Sequence, residues 1–415
     1  MLSAGAPSAF AFGITGQYRI RQPGGMSCPE LRPRARSTSA DGVAAKWMGC
    51  FRSPMMKTEN KGDVVIVQRS EDLGAEGMEG SSTRRGIPEH LVVMVNGLVG
   101  SAKDWRFAAE QFIKKHPDKV IVHRSECNSS RLTFDGVDLM GERLADEVLS
   151  FVNERDGIQK ISFVAHSLGG LIARYAIGRL YDPSNRFSPP ATTNQFKEDG
   201  NWQGTIAGLE AMNFITFASP HLGSRGHKQL PLLCGLPFLE QRASEAAHLI
   251  VGRTGKHLFL TDDDGRAPLL LRMVEDGEDI KFMSALRSFK RRVAYANANY
   301  DHMVGWRTSS IRRQHELPKY HLLVEDERYP HIVHVDKGET NNAAEEASSD
   351  VLAQKYNLEE AMIQGLTQVP WERVDVSFQK SGQRYIAHNT IQVKSYWLNS
   401  DGADVVSHLI DNFLV

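Results

Sequence analysis

The fold is decided by one stretch of sequence, Ile161-Ser-Phe-Val-Ala-His-Ser-Leu-Gly-Gly-Leu-Ile-Ala-Arg-Tyr-Ala-Ile-Gly-Arg-Leu180. Its first five residues form an apolar run typical of a buried strand, and its last ten have a helical pattern. The turn between them matches G-x-S-x-G with Ala165, another small residue, in place of the first glycine, which predicts a strained strand-to-helix turn carrying a serine. We therefore predict that Ser167 is a nucleophile and that the backbone N–H of Leu168 faces a developing oxyanion at the helix start.

Similar apolar runs recur along the chain, and helical patterns lie between them. The predicted strands, besides 161–165, are 90–95, 120–123, 214–218, 293–296 and 371–378. Residues 136–152 carry an apolar side chain every three or four positions, which predicts an amphipathic helix. Continuous apolar strands that alternate with helices are typical of a mostly parallel sheet, covered by helices on both faces. The predicted fold class is α/β.

Two regions interrupt this alternation. Residues 221–283 are too long for a simple connection and contain the apolar run Leu230–Leu239, so we predict a cap insertion there. Residues 336–350 hold Glu, Asn, Ala and Ser and almost nothing apolar, which predicts a flexible, solvated loop.

A second oxyanion donor is expected from the loop that follows an earlier strand. The segment Asn96-Gly-Leu-Val-Gly-Ser101 comes directly after strand 90–95 and contains a tight glycine turn. The backbone N–H of Leu98 is the candidate donor. An ordinary strand-to-helix turn has the same composition.

A nucleophilic serine needs a base, and the base needs an acid to orient it. Asp301 follows strand 293–296 at the expected position of that acid, and His388 lies in the loop after the last predicted strand, where the base is expected. His408, at helical spacing near the C-terminus, is the alternative base, and His302 beside the acid is a further one. His221 is predicted to shape a loop rather than to do chemistry.

The N-terminal residues 1–62 show no strand or helix period and are predicted to be a disordered extension, followed by a catalytic domain over 63–415. Their composition is compatible with a transit peptide. The segment Met48-Gly-Cys-Phe-Arg-Ser53 fits an acylation pattern, with Gly49 and Cys50 as acceptors if Gly49 becomes the N-terminus. Localisation thus stays open between plastid, cytosol and a membrane face reached through acylation at Gly49 and Cys50.

The overall composition excludes several classes of protein. A net charge of −1 argues against a nucleic-acid binder that relies on excess Lys and Arg. The four cysteines (Cys28, Cys50, Cys127 and Cys234) have no metal-ligand spacing, and no apolar run is long enough to span a membrane. We expect no metal and no organic cofactor.

Four motifs together carry a resemblance to a known family: Asn-Gly-Leu-Val-Gly-Ser at 96–101, Ala-His-Ser-Leu-Gly-Gly at 165–170, Ser-Pro-His-Leu-Gly at 219–223 and Tyr-Asp-His-Met-Val at 300–304. The chain resembles the putative serine esterase family of lipase-like α/β hydrolases, in a plant-type version, from about residue 88 to the C-terminus. The resemblance implies an α/β-hydrolase fold and an ester hydrolase that uses Ser167, Asp301 and a late histidine, best matched by His388. One departure is that the family's usual His-Gly before the oxyanion loop is Asn96-Gly97 here, so the position of the Leu98 donor is less firmly implied.

The expected function is therefore serine-dependent hydrolysis of carboxylic esters through an acyl-enzyme. The apolar cap favours acyl lipids as substrates, because apolar pockets bind acyl chains by burial. Alternatives are a thioesterase or acyltransferase that uses the same triad, or an inactive hydrolase-fold protein that binds a lipid or a partner. The expected partners are an acyl-ester or lipid substrate and a membrane surface, with no nucleic acid.

Overall fold

The computed structural model describes residues 88–184, 204–224, 252–262, 265–338 and 353–415. The parts predicted from sequence that lie outside these residues are the extension 1–62 with its acylation motif 48–53, the apolar run 230–239 and most of the loop 336–350. These three features remain predictions.

In the described part of the chain, seven strands form one sheet in the order β2-β1-β3-β6-β7-β9-β8, and a two-stranded hairpin pairs β4 with β5. The strands are β1 His90–Val95, β2 Val120–Arg124, β3 Lys160–His166, β4 Tyr181–Asp182, β5 Thr205–Ile206, β6 Glu210–Phe217, β7 Arg291–Asn297, β8 Ile332–Asp336 and β9 Glu372–Val376. All neighbours in the large sheet are parallel except β8 and β9.

The α-helices are α1 Arg106–Lys115, α2 Val137–Asn153, α3 Leu168–Leu180, α4 Leu269–Arg272, α5 Phe282–Ser288, α6 Trp306–Ser310, α7 Ala353–Leu366, α8 Ala387–Thr390, α9 Tyr396–Asn399 and α10 Ala403–Asp411. Residues 252–259 are also helical. The predicted helix 136–152 corresponds to α2, and each of the six predicted strands is found. The α/β fold class is confirmed.

Strand β8 was not predicted from the sequence. It is an antiparallel edge strand whose later residues are partly exposed, so it lacks the apolar run that marks the central strands. The hairpin of β4 and β5 was also missed, because two-residue strands are too short to show a period.

The sheet separates two hydrophobic cores, and β1 shows how. Leu91, Val93 and Val95 pack in the core that contains α2 and α3. Val92 and Met94 face the opposite core, which contains α1 and α10. Because successive strand side chains point to opposite faces, a strand covered on both faces must be apolar throughout. The helices on both faces therefore explain the continuous apolar runs in the sequence.

The described part of the predicted cap packs against helix α3. Leu269, Leu270 and Met273 are buried in the same core as that helix. The buried Arg174 of α3 donates a hydrogen bond from Nη2 to the Met273 carbonyl at 2.9 Å. This end of the insertion is thus fixed to the domain. No helix within the described ranges is long and apolar enough to cross a membrane.

Candidate active site

Ser167 lies at the turn between β3 and α3, in a strained backbone conformation. Its φ of 55° and ψ of −127° are unusual for a residue with a side chain. Its N–H donates to the Phe217 carbonyl of β6 at 2.8 Å, which fixes the turn at the carboxyl edge of the sheet. The turn also passes close to β1, since a Cβ added at Gly169 would lie 2.5 Å from the Val95 carbonyl oxygen. Only glycine fits there.

A histidine and a carboxylate from distant parts of the chain meet this serine. His388 Nε2 lies 2.9 Å from Ser167 Oγ, and His388 Nδ1 lies 3.0 Å from Asp301 Oδ2. The His388 side chain is 7% exposed and that of Asp301 is 2% exposed. The structure thus brings Ser167, His388 and Asp301 into one hydrogen-bonded line that is almost shielded from water.

The surroundings of Asp301 favour its ionised form. Oδ1 accepts hydrogen bonds from the N–H groups of Met303 and Val304, at 3.0 and 2.9 Å, and Oδ2 accepts one from Asn297 Nδ2 at 2.9 Å. Burial acts to raise the pKa of Asp301, but the charge of His388 and these hydrogen bonds outweigh it and hold the pKa below its ordinary value. Asp301 is therefore a carboxylate at neutral pH, able to accept the Nδ1–H of His388.

The loop after β1 lies against the serine. A Cβ added at Gly97 would be 2.8 Å from Ser167 Cβ, so this position needs glycine. The side chain of Asn96 donates to the carbonyls of Gly97 and Asn128, at 3.1 and 2.9 Å, and so holds the loop. Asn96 thus provides loop contacts where the family pattern has histidine.

The two predicted oxyanion donors belong to residues next to the turn: Leu168 follows Ser167, and Leu98 follows Gly97, which lies against Ser167. Leu168 is the first residue of α3, so its N–H has no acceptor within the helix. Among the described residues, no hydrogen bond occupies the N–H of Leu168 or of Leu98. Both donors are thus available to a ligand.

His166 is a functional candidate that sequence reasoning missed. Its Nε2 donates to the carbonyl of His388 at 2.7 Å, and the two imidazole rings lie 4.7 Å apart. Burial, and next the charge of His388, hold the pKa of His166 well below its ordinary value, so its ring is neutral. The contact joins residues 222 positions apart. The variable position before the serine gives no sequence signal for it.

The other candidate histidines lie apart from this line. His408, the alternative base, has its Nδ1 2.9 Å from the Tyr295 hydroxyl and makes no hydrogen bond to Ser167 or Asp301. His302 is exposed, and His388 takes the place beside Asp301. His221 is fully buried, with Nε2 2.9 Å from Thr216 Oγ1 and its ring against Trp371. These contacts are those of a packed loop residue.

The fold and the site together define a class of protein. A mostly parallel sheet, a strained serine between strand and helix, and a late histidine are the features of α/β hydrolases of the lipase and esterase type. In the part of the chain that the structure describes, no three His, Cys, Asp or Glu side chains form a group that could hold a metal ion.

The family model described as "Putative serine esterase (DUF676)" matches residues 86–311, more than half of the 415-residue chain. The chain belongs to this family, as the motifs predicted. The match includes Ser167 and Asp301, whereas His388 lies beyond it.

Several curated proteins are similar over about half of the chain. "Putative lipase ROG1" from Saccharomyces cerevisiae is 32% identical over 227 residues, which are 54% of this chain and 28% of that protein. "Putative lipase C4A8.10" from Schizosaccharomyces pombe is 27% identical over 54% of this chain and 26% of its own length. The matched region thus spans less than a third of these relatives.

The solved structures to which the chain is similar include two bacterial proteins. The mature lipase BlEst2 of Bacillus licheniformis has 17% sequence identity and a TM-score of 0.30, over 52% of this chain and 67% of that one. The RedJ thioesterase of Streptomyces coelicolor has 15% identity and a TM-score of 0.26, over 59% of this chain and 79% of that one.

Proposed function

We propose that this protein hydrolyses carboxylic esters of acyl lipids through an acyl-enzyme on Ser167. The observation that supports the proposal is the continuous hydrogen-bonded line from Ser167 Oγ through His388 to Asp301. A nucleophile, a base that reaches it and an acid that orients the base are the three groups that acyl transfer requires.

In the acylation step, Ser167 Oγ attacks the ester carbonyl carbon while His388 Nε2 takes the hydroxyl proton. The carbonyl oxygen becomes an oxyanion, which the N–H groups of Leu98 and Leu168 stabilise. Collapse of the tetrahedral intermediate breaks the bond to the alcohol, which leaves with the proton from His388. The ionised Asp301 stabilises the imidazolium that exists between these two proton transfers.

In the deacylation step, a water molecule gives a proton to His388 Nε2 and its oxygen attacks the acyl carbon. Collapse of the second tetrahedral intermediate breaks the bond from the acyl carbon to Ser167 Oγ, which takes the proton back from His388 Nε2, and the carboxylic acid leaves. The enzyme regains its starting state, and the sum of the two steps is ester plus water giving acid plus alcohol. Apart from the ester and water, the proposed steps use only groups of the chain.

The preference for acyl lipids is argued from the sequence of the predicted cap. The run Leu230-Pro-Leu-Leu-Cys-Gly-Leu-Pro-Phe-Leu239 is strongly apolar within an insertion that follows strand β6. Apolar linings bind acyl chains by burial, whereas small polar esters gain little from them. Among saturated esters of one alcohol, we therefore expect the specificity constant to rise with chain length.

The experiment is labelling with a fluorophosphonate probe followed by product analysis. Wild-type protein should be labelled and Ser167→Ala should not. Ser407→Ala, at an exposed serine on α10, should label like wild type. A lipid ester, an acyl thioester and an alcohol acceptor are then supplied in turn, and the products are identified by mass spectrometry.

The outcomes distinguish the proposed esterase from the alternative functions. Free fatty acid from the lipid ester supports the proposed hydrolase. Faster release from the thioester, or transfer to the alcohol acceptor, would make the protein a thioesterase or an acyltransferase instead. If neither wild type nor Ser167→Ala is labelled, the hydrolase-fold domain is a binding protein and the proposal is wrong.

A further inference from the structure

Apolar side chains are exposed on both sides of the segment that carries His388. We call them the aromatic rim, which consists of Tyr385, Ile386, Tyr396, Trp397 and Leu398. Trp397 is 94% exposed, and the exposed fractions of Tyr385 and Leu398 are 65% and 63%. Contiguous apolar groups in water are unfavourable, and such patches usually mark a binding surface.

The rim is fixed to the same short segment as the catalytic histidine. Thr390, two residues after His388, donates from Oγ1 to the Ile386 carbonyl at 3.1 Å and accepts from Asn399 Nδ2 at 3.0 Å. One side chain thus ties Ile386 to the end of α9. The Oδ1 atom of Asn399 also accepts from the Ser395 N–H at 3.1 Å, which closes the turn. The two halves of the rim are therefore held together beside the active site.

Ring contacts hold the two tyrosines of the rim, whereas Trp397 and Leu398 stay exposed. Tyr396 stacks on the half-buried Phe107 of α1, with ring centroids 5.1 Å apart. Tyr385 packs edge-on against Tyr300, the residue before Asp301, at 5.8 Å. Trp397 and Leu398 follow Tyr396 on α9 and project into solvent. The rim thus presents a tryptophan and a leucine on a rigid base.

A positive charge without a carboxylate partner among the described residues lies beside the rim. Arg384 lies directly before it, with its guanidinium carbon 4.7 Å from the Tyr385 ring centroid and 5.8 Å from that of Tyr300. No carboxylate in the described part of the chain forms an ion pair with Arg384, whereas Lys394 pairs with Asp104 and Lys380 pairs with Glu325. The guanidinium donates hydrogen bonds to the Ser381 carbonyl and the Tyr385 hydroxyl, both at 3.2 Å, but its charge has no carboxylate partner within the described ranges. Such a charge next to exposed aromatic groups is complementary to anionic headgroups above an apolar layer.

We propose that the aromatic rim docks the protein on a lipid surface that contains anionic phospholipid. Trp397 and Leu398 enter the layer between headgroups and acyl chains, where tryptophan and tyrosine are favoured, and Arg384 binds lipid phosphate. Because the rim shares its segment with His388, docking brings the active site against the membrane. The role of docking in substrate delivery rests on the proposed function, but the docking itself does not.

The test is sedimentation with phosphatidylcholine vesicles, with and without phosphatidylserine, in a Ser167→Ala background that cannot hydrolyse the lipid. Burial of a large apolar side chain changes a partition constant by about tenfold, so Trp397→Ser with Leu398→Ser should weaken binding by about a hundredfold. Arg384→Gln should weaken binding about fivefold, and only to vesicles that contain phosphatidylserine. Leu149→Ser, at an exposed leucine on α2, is the matched control and should bind like the parent.

Several results would overturn the proposal. They are absence of vesicle binding by the parent chain, equal binding by the double variant, and an equal loss in the Leu149→Ser control. Sedimentation velocity without lipid adds a further check: if the double variant breaks up an oligomer while vesicle binding is unchanged, the rim binds a second copy of the chain. Thermal melting shows that each variant is folded.

The failure of docking and the failure of the proposed function give different results. With Ser167 restored, the double variant should hydrolyse a soluble short-chain ester at the wild-type rate and lose activity only on esters embedded in vesicles. Vesicle binding without any hydrolysis would leave the docking surface valid and refute the esterase. Hydrolysis of soluble and embedded esters that is equally insensitive to the double variant would refute docking alone.

Discussion

Two buried carboxylates on neighbouring parts of the sheet have different partners, and we infer different roles for them. Asp301 follows β7 and accepts hydrogen bonds from His388, Asn297 and two backbone N–H groups. Asp375 lies within β9, fully buried, with Arg312 Nη1 2.8 and 2.9 Å from its two oxygens. Both carboxylates are desolvated, but Asp375 pairs with a guanidinium, with His334 Nδ1 as a further contact at 3.1 Å, whereas Asp301 pairs with the imidazole of His388.

The difference lies in what each partner does near neutral pH. A guanidinium keeps its charge, so Arg312 and Asp375 form a permanent pair, to which Trp306 adds a 2.6 Å hydrogen bond. In the proposed mechanism His388 takes up and returns a proton in each step, so its interaction with Asp301 changes between a neutral and a charged partner. The first pair fixes α6 on the sheet, and we propose that the second serves catalysis.

The largest expected effect is on kcat, through the pair of Asp301 and His388. Asp301→Asn should lower kcat by about 10⁴-fold, because the amide no longer selects the Nδ1–H tautomer of His388 nor stabilises its charged form. The measurement is the hydrolysis rate of a soluble ester at saturation. Asp375→Asn, assayed where it remains folded, is the control and should keep its activity per folded molecule. Equal losses in both variants would erase the distinction between the pairs.

The permanent pair should respond in stability instead. Asp375→Asn leaves the buried Arg312 with only Asp336, whose Oδ2 lies 3.4 Å from Arg312 Nη2, as a counter-ion, which should cost about 3 kcal/mol in the free energy of unfolding. Urea denaturation measures this cost. Arg312→Met added to Asp375→Asn should recover part of it, because no uncompensated charge is then buried. A single variant as stable as wild type would contradict the assignment.

Much of this could be predicted from the sequence, for local reasons. The elbow at Ser167 has its signal in the adjacent residues 161–180, and the central strands are apolar because both of their faces are covered. Asp301 and His388 were selected by their order after predicted strands, which is again local information. The structure then brings them within hydrogen-bond distance of each other and of Ser167.

What could not be predicted depends on contacts between distant residues. The pair Arg312 and Asp375 is separated by 63 positions, and the hydrogen bond from His166 to His388 spans 222. The edge strand β8 alternates too weakly to be recognised, since only its first two residues are buried. The exposure of Trp397 is likewise a property of the folded surface.

His166 sharpens the comparison, because it contacts the backbone of His388 in the pair of Asp301 and His388. His166→Phe removes the donor to the His388 carbonyl and should lower kcat by about tenfold to a hundredfold through misplacement of the base, with little change in KM. His166→Gln keeps an N–H donor and should recover part of the loss. A purely structural role predicts instead that both variants lose stability and that the active fraction keeps the wild-type kcat.

The smallest expected effect is on the pH dependence of stability, through a buried histidine that stays neutral in the folded protein near neutral pH. His90 is buried, and burial together with the charges of Lys160 and His116 lowers its pKa to about 3. The Ser162 hydroxyl accepts two hydrogen bonds from Asn213, so its own proton goes to His90 Nε2 at 2.8 Å, and Nε2 must stay unprotonated.

Below the unfolded pKa of about 6.5, the unfolded chain binds a proton at His90 that the folded protein refuses, so stability falls as the pH falls towards 3. His166 and His221, whose pKa values are also lowered by burial, act in the same direction. His90→Gln keeps an acceptor for Ser162 but cannot titrate. Between pH 7 and pH 5.5 it should lose about 1 kcal/mol less unfolding free energy than wild type in urea titrations. An equal loss in wild type and variant would mean that His90 is protonated in the folded protein as readily as in the unfolded chain. Burial would then not keep its ring neutral.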